Sequence, residues 1–269
     1  MGRELLEGIV LDRNANFMAS NLTEAGFRVR MIQVLDDEDQ SEAASWIRQA
    51  MGMKPDFILI TGGMGPGNDD ITRECVAEAA GLGLAIDDRA RDFLAESYHR
   101  LAARGVVRTA ELDEARLKMA TLPVGSVCHE NPIGTAPAVQ LEVGETTFFL
   151  LPGQPEELRG MFVSCVKPVL EARGSGGVRL TAHVDYPGGD EALISRMLSD
   201  LGRRHPGLQS RARLHGNSEG SVRLRISMSA EGADQATVQG LLDAASADLR
   251  ARLGLEVTTN ATAEDASVD

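Results

Sequence analysis

Thr61-Gly62-Gly63-Met64-Gly65-Pro66-Gly67-Asn68-Asp69-Asp70-Ile71-Thr72 follows directly on the apolar run Phe57-Ile58-Leu59-Ile60 and leads into a helical pattern that reaches Ala80. A short apolar run between Pro55 and a pair of glycines reads as a buried strand. Strand, glycine-rich turn and helix in that order form the repeating unit of a parallel α/β sheet, whose ligands sit at the carboxyl ends of its strands. Glycines let backbone approach a ligand closely, and successive N–H groups in such a turn can cradle a phosphate. Asp69 and Asp70 admit two readings. As helix-capping residues they would contribute about 1 kcal/mol, which is the simpler account on spacing alone. Beside a phosphate cradle they are also the carboxylates that a magnesium-dependent phosphate reaction needs. The turn is neither a Gly-Lys-Ser/Thr loop nor the dinucleotide G-x-G-x-x-G.

Outward from this turn, helical and strand patterns alternate. Helical spacing predicts a helix over 12–25 that stops at Gly26, and near-alternating residues 27–35 predict a strand. Further helices are expected over 41–53, 87–104 and 111–120. A last apolar strand, 147–151, delivers Pro152-Gly153-Gln154-Pro155 and a closing helix over 156–172. Gly174-Ser175-Gly176-Gly177 reads as a linker. Beyond it the pattern is strand 178–184, helix 190–204, strands 209–214 and 221–228, and helix 235–253. The expected organisation is an α/β domain over 1–173, with a mostly parallel sheet and helices on both faces. A small α+β sandwich over 178–257 and a disordered polar tail over 258–269 follow.

The composition is that of a globular protein, with 43% hydrophobic and 25% charged residues in 269. No apolar run approaches the ~20 residues of a membrane span, and no secretory leader is visible, so a soluble cytoplasmic protein is expected. A net charge of −13 repels nucleic acid and anionic membrane. Cys75, Cys128 and Cys165 lack C-x-x-C spacing and read as buried hydrophobes, without a disulfide or structural zinc.

The glycine-rich segment resembles the T-G-G-x-G-P-x-x-D-D-x-T motif of the MoaB/Mog-like molybdopterin-binding domain, in the version at the start of CinA proteins. Gly2-Arg3-Glu4-Leu5-Leu6-Glu7-Gly8, Asp12-Arg13-Asn14 and Val34-Leu35-Asp36-Asp37 resemble that family's G-x-E-L-L-x-G, D-T-N and V-G-D-D. Lys118-Met119-Ala120, Asn131-Pro132-Ile133-Gly134-Thr135-Ala136-Pro137 and Pro152-Gly153-Gln154-Pro155 resemble its K-x-A, N-P-x-G-T-A-P and P-G-x-P. These ordered matches span residues 2–160. The small domain, with Gly189-Asp190-Glu191 before a helix and Arg204-His205-Pro206 after it, resembles the one that follows in CinA proteins.

The resemblance implies that Asp36 and Asp70 match catalytic acids, and that Asp36, Asp69 and Asp70 hold a divalent cation (Mg, Mn or Co). It implies ligand contacts from Thr61, Gly62, Gly63, Gly65, Asn14, Glu4, Lys118, Asn131, Gly134, Thr135, Pro152 and Gly153. Plainer readings stand beside these: capping for Asn14, a surface acid for Glu4, a rigid turn for Pro152-Gly153, and helix-dipole pairing for Lys118. The activity implied is metal-dependent hydrolysis of a nucleoside diphosphate compound such as ADP-ribose, as a nucleotide pyrophosphatase. The alternatives are a molybdopterin-binding or molybdopterin-adenylylating protein and a non-catalytic nucleotide-binding regulator. The expected partners are a small nucleotide or pterin and further copies of the chain, with no nucleic acid and no membrane.

Against that family pattern, the apolar strand that normally precedes G-x-E-L-L is absent, and the true start is expected to lie upstream. Leu35, Arg13 and Ala138 replace a glycine, a threonine and a glycine, and Leu35 is expected to put a side chain where backbone would approach the ligand. An amidase domain that often follows in CinA proteins is not expected. In the small domain, Arg203, Arg204, Arg211, Arg213, Arg223 and Arg225 cluster. Without stacking aromatics they read as a solvated surface or subunit contact in preference to an RNA site. His99, His129, His183, His205 and His215 show no metal-ligand spacing.

Overall fold

The computed structural model describes residues 1–174, 177–216 and 222–255. Ser175 and Gly176 of the linker, Ser221, the side chain of His215 and the tail 258–269 lie outside the described residues. The chain divides into two compact units, Met1–Asn21 with Val29–Arg173, and Leu22–Arg28 with the described residues of 174–269.

The first unit opens with α1 (Arg3–Leu6), α2 (Arg13–Glu24) and α3 (Gln40–Gly52), then β1 (Phe57–Thr61) and α4 (Thr72–Ala80). There follow β2 (Leu84–Ile86), α5 (Asp88–Ala103), α6 (Glu114–Lys118), β3 (Thr121–Pro123), β4 (Val127–His129), β5 (Ala138–Val143) and β6 (Thr146–Leu151). The closing helix is α7 (Pro155–Met161) and α8 (Lys167–Arg173), joined through a π-helical turn at Phe162–Val166. Helix starts are set by aspartates: Asp12, Asp39, Asp87 and Asp113 each accept a hydrogen bond from the backbone N–H three residues on. Each such cap satisfies a donor the helix leaves unpaired. Part of the acidic surplus is therefore local architecture.

The main sheet runs β1-β6-β5-β4. β6 is wholly buried and takes β1 in parallel and β5 antiparallel; β5 and β4 are also antiparallel. A mixed sheet flanked by helices is the α/β class the sequence pattern implies. The parallel register sets Thr61 level with Leu151, so the turns after β1 and β6 leave the sheet side by side. Phe148, Leu150, Val139 and Leu141 on the strands pack with Val76, Leu94 and Ile47 of the helices in one core.

Two expectations need correction. Residues 27–35 form no strand; Phe27 N–H donates to Leu22 O at 2.8 Å, and Leu35 O accepts from Gly2 N–H at 3.2 Å. Strand structure exists only as a ladder, and no described strand lies beside this segment to complete one. For the same reason β1 is an edge strand, half-buried along its length instead of enclosed on both faces. The second correction is the pair β2–β3, an antiparallel two-stranded sheet that short, non-periodic residues did not announce.

The second unit contains β7 (Val178–Tyr186), α9 (Glu191–Arg204), β8 (Leu208–Gly216), β9 (Val222–Gly232) and α10 (Gln235–Leu253). Its sheet is antiparallel in the order β7-β9-β8. Val184, Leu224, Ile226 and Met228 meet Ile194, Leu198 and Leu201 of α9 and Val238, Leu242 and Leu249 of α10 in a separate core. Both helices are again capped by aspartates, Asp190 and Asp234. No helix among the described residues is long and apolar enough to cross a membrane.

Phe148 is fully buried at the centre of the first core. Phe148→Ala is expected to lower the unfolding free energy by about 3–5 kcal/mol in denaturant titration. A loss below about 1 kcal/mol would mean that this core does not carry the unit.

Candidate functional site

The turn after β1 is shaped by what holds its carbonyls. Gly62 and Gly63 adopt φ of +90° and +63°, a backbone region other residues rarely enter. A Cβ on Gly63 would fall against Thr72 Oγ1, and one on Gly65 against the Asp70 carboxylate. Thr72 Oγ1 donates to Gly62 O at 2.7 Å, and Thr72 N–H donates to Gly63 O at 3.2 Å. Arg73, fully buried, donates through its two terminal nitrogens to Met64 O at 2.6 Å and Gly65 O at 3.0 Å. The Met64 side chain is sunk in the core below them.

Peptide planarity gives this grip its consequence. In a trans peptide the carbonyl of one residue and the N–H of the next point in opposite directions. With the carbonyls of Gly62, Gly63 and Met64 drawn toward Thr72 and Arg73, the N–H groups of Gly63, Met64 and Gly65 face the other way. Among the described residues these three amides donate to no protein acceptor. Consecutive free amides on one side of a turn make a concave donor surface suited to an anion.

Arg73 was not singled out in the sequence. Its signal was its position three and four residues before Val76 and Ala77, on the core face of α4, where a charge must be paired or hydrogen-bonded. Burial lowers its pKa, while Glu74 and Asp70 raise it, and a guanidinium so placed keeps its charge. Its Nε finds no partner among the described residues, so the grip on the loop carries a desolvation cost.

The other expected residues fall into three groups. The first surrounds the turn. Asn14 Nδ2 donates to Gly153 O at 2.7 Å and to Thr61 Oγ1 at 3.3 Å, and Thr61 Oγ1 donates to Pro152 O at 2.8 Å. One side-chain chain thus ties the ends of β1 and β6 together, so Asn14 is a clamp and not a helix cap. Lys118 Nζ reaches Gly67 O at 2.6 Å and lies 3.8 Å from Glu74.

The second group is acidic. Asp70 Oδ2 accepts from Gly67 N–H at 2.8 Å, which folds the loop; it does not cap α4, whose first residue is preceded by Ile71 with no side-chain cap. The capping reading of Asp69 and Asp70 is therefore corrected. Asp36 Oδ1 accepts from the N–H groups of Asp37 and Glu38 at 2.8 and 3.2 Å. Burial raises the Asp37 pKa, and the like charges of Asp36, Glu4 and Asp69 raise it further, so these four acids share one neighbourhood. Hard carboxylate oxygens suit a divalent cation in kind. Their placement does not: no three of His, Cys, Asp or Glu among the described residues are grouped to hold a metal. Asp36 and Asp70 each spend one oxygen on loop amides, and the expected Asp36–Asp69–Asp70 set is not grouped among the described residues.

The third group is structural. Asn131 is buried, with Oδ1 accepting from Ile133 and Gly134 N–H at 3.0 Å and Nδ2 donating to Ala136 O and Glu157. Gly134 lies against the Glu157 carboxylate, where a Cβ would collide. Asn131 and Gly134 thus shape the loop that carries Thr135. Leu35 packs its side chain against the core, not toward a ligand position.

Residues 1–172 match the family model described as a probable molybdopterin binding domain. A protein of Pyrobaculum arsenaticum is 34% identical over 264 residues, covering 97% of this chain and 96% of its own length. A CinA-like protein of Myxococcus xanthus is 30% identical over 266 residues, covering 95% of this chain and 58% of its own. Among solved structures, the protein CinA of Thermoplasma acidophilum, described as of unknown function, superposes with a TM-score of 0.56 at 33% identity. That similarity covers 62% of this chain and 94% of the other.

Arg73→Met is expected to cost about 2–4 kcal/mol, because it strands carbonyls that a buried cation had satisfied. Chemical denaturation measures this, and a loss below about 1 kcal/mol would contradict the grip. Asp37, with its raised pKa, favours the folded state relatively more below its ordinary value near 3.8, and that advantage is lost as pH rises through the folded value. Asp37→Asn should therefore raise the melting temperature at pH 7, with the gain vanishing in acid. A gain that persists unchanged at low pH would refute the electrostatic cause.

Proposed function

The chain belongs to the probable molybdopterin binding domain family, and from that premise we propose that it is a CinA-like protein that hydrolyses a nucleoside diphosphate compound such as ADP-ribose. The observation that carries the reading is the row of amides at Gly63, Met64 and Gly65, turned away from Thr72 and Arg73 and without a protein acceptor among the described residues. Three donors on one surface match the oxygens of a phosphate and stabilise the charge that builds on it during displacement. Asp69, exposed at the rim, and Asp70, behind Gly65, supply carboxylates next to that surface.

In this reading the amides bind one phosphate of the pyrophosphate bridge, and Lys118 and Asn14 hold the surrounding backbone in place. Water adds to phosphorus, the bridging P–O bond breaks, and a carboxylate of the Asp69–Asp70 pair takes the proton from water. With ADP-ribose the products are AMP and ribose 5-phosphate. Because no set of acids is grouped for a divalent cation, no step here passes through one, and metals enter as an assay variable.

A second reading, binding or adenylylation of a molybdopterin, is favoured by the family match over residues 1–172. The same amide row would take the pterin's phosphate. A third reading, a non-catalytic nucleotide-binding regulator, rested on Leu35 and the missing strand, and Leu35 packs against the core.

The full chain should release AMP from ADP-ribose in an assay run with magnesium, manganese, cobalt or none. Asp70→Asn should lower kcat/KM by about a hundredfold while leaving the melting temperature near that of the parent. Tight binding of a pterin phosphate with no AMP release under any condition would overturn hydrolysis in favour of the second reading.

A further inference from the structure

The sheet of the second unit has two chemically opposite faces. Leu180, Val184, Leu224, Ile226 and Met228 face α9 and α10. With a period of two, Arg179, His183, Arg211, Arg213, Arg225 and Ser227 take the other face. The register sets His183, Ser227 and Arg211 in one row across the strands, and Asp185, Arg225 and Arg213 in the next. Arg179, His183, Arg211, Arg213, Arg225 and Ser227 line a shallow pocket of about 330 Å³.

The cations on this face exceed the acids. Arg179 pairs with Glu231 at 2.9 Å, and Arg225 takes Asp185 with two nitrogens at 2.9 and 3.2 Å. Arg211 and Arg213 have no carboxylate partner among the described residues. Arg213 also stands directly across from Arg225, a like-charge pairing that costs stability in a sheet unless an anion lies between. Of the remaining arginines of the sequence cluster, Arg223 shares the strand face of Arg225, and the two on α9 behave differently. Arg203 and Arg204, on α9, both pair with Asp200 and do not belong to this face.

We propose that this face of the sheet is a second anion site, which takes a small molecule through a diphosphate or triphosphate group. Guanidinium forks match phosphate oxygens two at a time, and between them Ser227 Oγ and His183 Nδ1 are hydrogen-bonded to each other at 3.0 Å. The pocket lies at the small end of the range for molecular ligands and far below a protein interface. Nucleic acid is disfavoured, because Tyr186 packs into the core and among the described residues no Phe, Tyr or Trp lies on the face to stack a base, the imidazole of His183 being tied to Ser227. In a chain of net charge −13, such a concentration of unpaired arginine gives a local field that selects compact polyanions.

The test uses the full chain and inorganic pyrophosphate, followed by calorimetry and hydrogen–deuterium exchange. Because the turn after β1 is also proposed to bind phosphate, exchange separates the two sites. Pyrophosphate should protect peptides of β8 and β9 independently of any protection near Gly63. Arg211→Gln with Arg213→Gln should weaken the β8–β9 response at least about tenfold, leave the melting temperature no lower than the parent's, and leave the Gly63 response intact. The paired lysine substitutions should recover part of the affinity. The proposal is overturned by absent β8–β9 protection at millimolar pyrophosphate, or by an unaltered affinity in the glutamine variant. It is equally overturned if a single-stranded RNA oligomer binds this face and pyrophosphate fails to compete.

Discussion

A buried guanidinium pulling on two carbonyls is the constraint from which the site follows. Arg73 enters the core from α4 and, with Thr72, holds the carbonyls of four consecutive residues, Gly62 to Gly65. Because each peptide is a rigid plane, fixing the carbonyls fixes the amides, and three of them are left facing outward. The glycines are needed because the chain turns through left-handed backbone with side chains packed close behind it. The arginine is needed because flexible glycines would otherwise populate many arrangements, and an anion would have to order them on binding.

The sheet supplies the rest of the geometry. Parallel pairing of β1 with β6 puts two turns at one rim, and Asn14 stitches Thr61 to Gly153 across them. Acids lie at two positions relative to this rim: Asp70 within the loop itself, and the group of Glu4, Asp36, Asp37 and Asp69 that raises the Asp37 pKa. In the proposed reading, amides free of protein acceptors attract a phosphate while the nearby carboxylates repel it. That tension is what a displacement reaction exploits, since charge is held where it grows and a base is available for water.

Much of this was legible in the sequence, and the failures have physical causes. The helices could be read because their apolar spacing and aspartate caps are local properties. The five elements of the second unit were placed in order for the same reason, with alternation in β7, β8 and β9 strong enough to separate an apolar face from an arginine face. Residues 27–35 have a strand's pattern and no strand, because a ladder is a non-local structure whose partner the segment does not itself specify. Gly63 and Gly65 were visible as turn glycines, and for Asp70 the capping alternative that stood beside the catalytic reading does not hold. Its true acceptor role depends on the loop folding back three residues. Arg73 escaped notice because its contacts are to carbonyls, which no side-chain motif encodes. Asn131 stood out by resemblance as a ligand contact, whereas its amide is consumed in shaping its own loop.

The most direct measurement is a titration of the ¹⁵N-labelled full chain with AMP, followed by amide resonances. The account predicts saturable downfield shifts centred on Gly63, Met64 and Gly65. A bound nucleotide that moves resonances elsewhere and leaves these three unchanged would contradict it.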